Sequence, residues 1–162
     1  EIGKSLIEKN SEDIVKKILE EAEENKCKIV IPEDCLVSKS FDGEAISKDI
    51  KSVEKDDIIL DIGPETIKII EGIIDISNTV MWNGPAGYFE NKKFSLGTNA
   101  IALKIFENTK KKSLISVLGG GDTVSAINKS GLELYFTHLS TAGGAFLEYL
   151  EGKDLPGLSV LK

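Results

Sequence analysis

The chain has 162 residues, a formal net charge of −7, and a composition that is 41% hydrophobic and 29% charged. That length and balance fit one soluble globular domain with a sizeable core. The acidic charge argues against nucleic acid or an anionic membrane as partner, since either attracts a basic surface.

All 20 basic residues are lysines, so a planar, two-pronged grip on carboxylate or phosphate, usually an arginine task, is expected from another domain or chain. The only methionine is Met81 and the first residue is Glu1, which reads as a fragment of a longer protein. Cys27 and Cys35 match no metal-ligand spacing and have too few companions for a disulfide framework, so two reduced, buried or half-buried thiols are expected. With no signal peptide and no apolar run of membrane-spanning length, a cytoplasmic protein is expected.

Ser11 can cap a helix on which Ile14, Val15, Ile18, Leu19 and Ala22 share one face while Glu12, Lys16 and Glu20 stay wet, the pattern of an outer-layer helix. Residues 28–32 read as a short buried strand closed by Pro32. Between Cys35 and Lys55, a turn at Phe41-Asp42-Gly43 and hints of period two suggest a hairpin. Residues 57–61 form the next strand, and Pro64 suits the first position of a helix whose core face is Ile67, Ile70 and Ile74. A strand over 79–82, a helix over 96–108, a strand over 113–118 and a helix over 122–129 ended by Gly131 follow. A strand over 134–139 and a helix over 143–150, stopped at Gly152, complete the series. Such alternation predicts an α/β fold, a doubly wound, Rossmann-like parallel sheet with helices on both faces. Ligands of such sheets bind beyond the carboxyl ends of the strands. The glycine clusters fall there, after Trp82, after Leu118 and after Leu139.

Gly119-Gly120-Gly121 lets a ligand approach the backbone, and Asp122-Thr123 stands at the first turn of a helix. Asp122 is either a plain N-cap or a ligand of Mg²⁺ on a phosphate, with the Thr123 hydroxyl and helix amides on the phosphate oxygens. Local sequence does not separate these two readings. There is no GxxxxGK[ST] loop, which disfavours a P-loop enzyme. Glu90, after the rigid Gly84-Pro85-Ala86-Gly87 stretch, either accepts both hydroxyls of a ribose or is a solvated loop acid beside Lys92 and Lys93. Tyr88 and Phe89 line an adenine slot or fill the core. Thr141-Ala142-Gly143-Gly144-Ala145 opens a helix whose free amides could stabilise charge on a transferred phosphoryl group. His138 reads as a structural, hydrogen-bonded histidine, since no serine, cysteine or carboxylate is spaced to make it a general base. Trp82 reads as core, and Lys110-Lys111-Lys112 as a solvated loop.

Trp82-Asn83-Gly84-Pro85, Phe89-Glu90, Phe94 with Gly97-Thr98, Gly119-Gly120-Gly121-Asp122-Thr123, His138-Leu139-Ser140-Thr141 with Gly143-Gly144-Ala145, and Leu150-Glu151-Gly152-Lys153 with Leu155-Pro156-Gly157 stand in the order and spacing of phosphoglycerate kinase. The opening Gly3-Lys4-Ser5-Leu6 and Gly63-Pro64-Glu65 fit as well. The chain thus resembles the later part of that family's C-terminal nucleotide-binding domain over residues 1–162, without the N-terminal acid-binding domain or the start of its own domain. The resemblance implies reversible phosphoryl transfer between 1,3-bisphosphoglycerate and Mg-ADP, giving 3-phosphoglycerate and Mg-ATP, in a cytoplasmic monomer that binds neither nucleic acid nor membrane.

By the same resemblance Leu60, Gly84 and Pro85 take the adenine side, Glu90 the ribose hydroxyls, Asp122 the Mg²⁺, and Gly120, Gly121 and Thr123 the phosphates. Thr123, Gly143 and Gly144 then carry the catalytic role, the two glycines facing the phosphoryl group in flight. The family pattern usually has three glycines where this chain has Ala142-Gly143-Gly144, and Ala142 places a β-carbon near the phosphate path. Because the acid-binding lobe and the phosphate-facing lysines of the earlier segment are missing, the fragment alone is expected to be inactive. The competing class is a non-catalytic nucleotide-binding or interaction module.

Overall fold

The computed structural model describes residues 2–130, 135–140, 142 and 144–161. In chain order it holds α1 (Glu12–Glu24), β1 (Asp34–Ser38), β2 (Ile46–Asp49), β3 (Ile58–Ile62), α2 (Pro64–Ile76), β4 (Thr79–Asn83), α3 (Leu96–Lys110), β5 (Ile115–Gly119), α4 (Gly121–Ser130), β6 (His138–Leu139), α5 (Gly144–Leu150) and α6 (Pro156–Ser159). The fold is α/β, with β4, β5 and β6 forming a parallel sheet flanked by helices. Its core joins Ile74 of α2, Trp82 of β4, Ile101, Ala102 and Ile105 of α3, Leu114, Leu118 of β5 and Ile127 of α4. Each fully buried aliphatic side chain there contributes about 1.5–3 kcal/mol. Ile67 and Ile74 are buried and Ile70 packs against the core, the face that the spacing predicts for α2.

The first half departs from the all-parallel expectation. β1 pairs antiparallel with β2 on one side and with β3 on the other, with Phe41-Asp42-Gly43 inside the β1–β2 connection. The hairpin is therefore present, but the strand that feeds it lies at Asp34–Ser38, not at 28–32. A strand needs a ladder partner, and among the described residues none pairs with 28–32. Ile29 and Ile31 are 40% and 69% exposed instead. β1, paired on both edges, is buried throughout: Cys35 and Val37 pack with Val53 on one face, and Leu36 packs with Leu60 and Phe94 on the other. This two-faced packing follows from the alternation of side chains along a strand.

The helix α1 forms where the periodicity places it, yet its apolar stripe is not covered. Ile14, Val15, Ile18 and Leu19 are 60%, 49%, 52% and 48% exposed. The Ser11 hydroxyl donates back to the Glu8 carbonyl and does not cap the helix. Cys35 is buried as expected, whereas Cys27 is exposed; both are free thiols. His138, read from the sequence as a structural, hydrogen-bonded histidine, is exposed on β6. The expected ends at Gly131 and Leu134 lie outside the described residues.

Candidate functional site

In the parallel sheet Asn83 stands opposite Gly119, and Leu118 opposite Leu139. The carboxyl ends of β4, β5 and β6 are thus level, and the turns that follow them leave from a single edge. Gly84 (φ 98°) and Gly120 (φ 89°) begin two of these turns in the left-handed region, where any other residue is strained.

The 84–90 loop is fixed by hydrogen bonds from three directions. The Gly84 amide donates to the Thr123 hydroxyl at 2.7 Å, and the Trp82 indole donates to the Gly84 carbonyl at 2.7 Å. The Ala86 amide donates to the Thr98 hydroxyl at 3.0 Å, and the Tyr88 amide to the Leu60 carbonyl at 2.7 Å. Thr98 and Thr123 are fully buried, so each hydroxyl trades water for a loop amide that would otherwise lack a partner. Thr123 sits in the first turn of α4 and therefore ties the loop after β4 to the helix after β5. Its hydroxyl, accepting from Gly84, retains its own proton to donate.

Two clefts flank this loop. One of about 670 Å³ is lined by Leu60, Pro85, Ala86, Tyr88, Ile58 and Phe41, among others, and is mostly apolar. Tyr88 meets Phe41 edge-on there, with ring centroids 5.5 Å apart. The second, of about 700 Å³, holds Phe89, Glu90, Lys92, Asn99 and Lys129, and the Lys129 ammonium lies 4.9 Å from the centre of the Phe89 ring. Leu60 and Pro85 thus come together, while Glu90 is exposed on the other side of the loop. Asp122 is exposed at the start of α4 and lines neither cleft. Gly144 opens α5; Gly143 lies outside the described residues. A β-carbon on Gly84, Gly121 or Gly144 would meet nothing within 4 Å, whereas one on Gly120 would lie 2.5 Å from the Asn83 side-chain oxygen. The left-handed backbone of Gly120 therefore disfavours a side chain there, and the space beside Gly121 and Gly144 is open.

Among the described residues no group of three or more histidine, cysteine or acidic side chains is placed to hold a metal ion. One exposed carboxylate, Asp122, at a helix N-terminus fits a Mg²⁺ whose other ligands are nucleotide phosphates and water, and does not fit an ion caged by the protein.

Three buried acids were not singled out from the sequence. Asp61 of β3 is 2% exposed and accepts from the Gly97 amide in the first turn of α3. Its carboxyl is pushed up to about 6 by burial, against the lowering effect of the Gly97, Ile62 and Leu96 amides. Asp34 of β1 accepts from the amides of Glu65 and Thr66 and from the Thr66 hydroxyl, capping α2 from another element. Burial works against its charge, but those hydrogen bonds outweigh it and hold its carboxyl below the usual range. Asp57 lies between Lys48 (2.8 Å) and Lys39 (2.9 Å). Lys48, the Glu54 amide and Lys39 keep it well below the usual carboxylate range. Thr98, noted beside Gly97 but given no role, is the second loop clamp. In each case an ordinary polar residue near a strand or helix end gave no signal beyond its position.

The family model described as phosphoglycerate kinase matches residues 1–153. Phosphoglycerate kinase of Methylorubrum extorquens is 45% identical over 164 residues, covering 100% of this chain and 41% of that protein. The Dictyoglomus turgidum protein of the same name is 46% identical over 164 residues, with the same coverage. Among solved structures, phosphoglycerate kinase from Coxiella burnetii superposes with a TM-score of 0.92 at 38% identity, over 100% of this chain and 41% of that one. The Pyrococcus horikoshii enzyme superposes with a TM-score of 0.72 at 31% identity, over 99% of this chain and 40% of that one. The chain spans about 41% of the length of the curated relatives it matches. It belongs to the phosphoglycerate kinase family.

Proposed function

We propose that this chain is the later part of the C-terminal, nucleotide-binding domain of a two-domain kinase, and that it supplies the nucleotide site. The complete protein then catalyses reversible phosphoryl transfer between 1,3-bisphosphoglycerate and Mg-ADP, giving 3-phosphoglycerate and Mg-ATP, as a cytoplasmic monomer. The observation that carries the nucleotide reading is the Gly84–Thr123 hydrogen bond, which locks a glycine loop to the N-terminus of α4 at the carboxyl edge of a parallel sheet. Anions are favoured at such a terminus. Gly121 and Gly144 support the same reading, because neither packing nor a left-handed backbone within the chain requires a glycine at these positions.

In this reading Leu60, Gly84 and Pro85 form the adenine side, and Glu90 accepts the ribose hydroxyls. Gly120, Gly121 and Thr123 form the phosphate side, the two glycines offering their amides. Asp122 holds the Mg²⁺ that neutralises phosphate charge, and Gly143 and Gly144 face the phosphoryl group in transfer. The uncovered stripe of α1 and the exposed Ile29 and Ile31 support a larger domain in which these surfaces are buried. Calorimetric titration of Mg-ADP into the chain tests the site. Saturable binding that Asp122→Asn and Glu90→Gln both weaken is expected, and absence of binding to a folded chain would refute the nucleotide reading.

A further inference from the structure

Asp61 is buried against the 84–90 loop, which it touches at Gly87. A β-carbon on Gly87 would collide with the Asp61 carboxylate, and one on Gly97 would meet Oδ1 of the same side chain at 2.5 Å. Oδ2 accepts from the Gly97 amide at 2.9 Å and Oδ1 from the Ile62 amide at 2.9 Å. The carboxylate therefore fills the gap between loop and helix and caps α3, whose own N-cap residue, Ser95, makes no capping bond. The neighbouring Leu60 carbonyl holds the Tyr88 amide, so two consecutive residues of β3 grip the loop.

We propose that Asp61 is a positioning residue of the nucleotide site, its side chain setting the distance between the 84–90 loop and the first turn of α3 and so the shape of the cleft beside Leu60 and Pro85. This rests on the nucleotide-site reading. Asp61 also lines that cleft, and with only 2% of its surface exposed it acts through Gly87 and Gly97.

The charge on Asp61 is not set by an ionic partner. Around it, Asp34 of β1 is committed to α2, Lys93 pairs with Glu44 at the surface, and Lys104 of α3 pairs with Asp75. Glu65, Glu90 and Lys92 are exposed, as is the Tyr88 phenol. Burial dominates, opposed only by backbone amides. Taking up a proton thus changes this one contact, converting an acceptor of backbone amides into a group that must also donate.

The single tryptophan, Trp82, donates to the Gly84 carbonyl at the base of the loop and reports its position. Its emission in the unmodified chain is followed from about pH 8 to about pH 5, and a transition with a midpoint of about 6 is expected. The transition should vanish in Asp61→Asn, and persist in Asp75→Asn, a control far from the loop, and in His138→Gln. Asp61→Asn should also weaken Mg-ADP binding by about tenfold while Asp75→Asn leaves it unchanged. A featureless wild-type titration, or equal affinity in Asp61→Asn and wild type, would overturn the proposal. If the wild type binds no Mg-ADP but shows the Asp61-dependent transition, the nucleotide reading falls while the grip of Asp61 on the loop stands.

Discussion

The hydroxyl of Thr123 accepts the amide of Gly84 at 2.7 Å, joining residues 39 positions apart across the carboxyl edge of the parallel sheet. The bond is buried on the Thr123 side, so its loss leaves an amide without a partner. Thr123→Val, which keeps the shape and removes the acceptor, should cost about 1–3 kcal/mol of stability by urea unfolding. Thr123→Ser should recover most of that loss. Equal unfolding midpoints for the valine and wild-type chains would show that the bond contributes nothing.

Asp122→Asn should reduce Mg²⁺-dependent nucleotide binding more than it reduces stability, because asparagine remains a competent residue at a helix start while the charge that faces the metal is lost. ATP titrated calorimetrically with and without Mg²⁺ checks this. The variant should match wild type without the metal and fall below it with the metal; identical curves in both conditions would remove Asp122 from the metal site.

Glu90→Gln should weaken adenosine-nucleotide binding by about tenfold, since an ionised acceptor at a pair of hydroxyls becomes a neutral one. The difference should disappear with a dideoxyribose analogue. Glu90 lies across the loop from the Leu60–Pro85 cleft, so an undiminished difference with that analogue would place the sugar elsewhere.

The edge on which the site stands was legible from the glycine clusters after Trp82 and Leu118, because the left-handed turns at Gly84 and Gly120 leave a direct mark in the sequence. Two of the parallel core strands were legible for a similar reason, since residues 79–82 and 113–118 are apolar runs that end at such turns, whereas the strand expected over 134–139 is limited to His138–Leu139 among the described residues. Of the antiparallel sheet, the hairpin after Cys35 and the strand at 57–61 were legible, but the position of β1 was not, since the run at 28–32 is more hydrophobic than Asp34–Ser38 and only pairing on both edges makes the latter a strand. Periodicity located α1 but not its surroundings, as burial depends on what packs against a face. Asp61, Asp34 and Thr98 were hidden because a capping role between elements distant in sequence leaves no local pattern.

Acid and neutral pH should stress different carboxyls. Folding raises the Asp61 carboxyl from 3.8 to about 6, so the folded chain binds that proton more tightly. The stability this contributes is complete below the unfolded value and is lost as pH rises through about 6. Asp57 and Asp34 are lowered, so their contributions exist above 3.8 and are lost as pH falls below it. Urea midpoints should therefore rise as pH is lowered from neutral, pass a maximum near about pH 5, and then fall. Asp61→Asn should remove the rise and keep the acid fall. A wild-type midpoint that only declines from neutral pH downward would show Asp61 ionised throughout.

The chain alone should turn nothing over, although its family is named for a kinase. Transfer requires the acyl phosphate in line with the nucleotide, and positioning of that kind supplies about 7–11 kcal/mol of a barrier. No arginine is present among its 20 basic residues, so no fork-shaped cation can hold 3-phosphoglycerate, and a β-carbon on Gly121 or Gly144 would meet nothing within 4 Å among the described residues. Electrostatic stabilisation of the transferred group is the main work of such an enzyme, and in the proposed division of labour the acid-binding lobe supplies part of it. A coupled assay on the purified chain, run beside Asp122→Ala, should give no signal above the control. Adding a separately expressed acid-binding lobe together with the preceding part of the domain should restore turnover. Activity of the chain alone near that of a full-length relative, abolished by Asp122→Ala, would mean that the division of labour proposed for the two lobes is wrong.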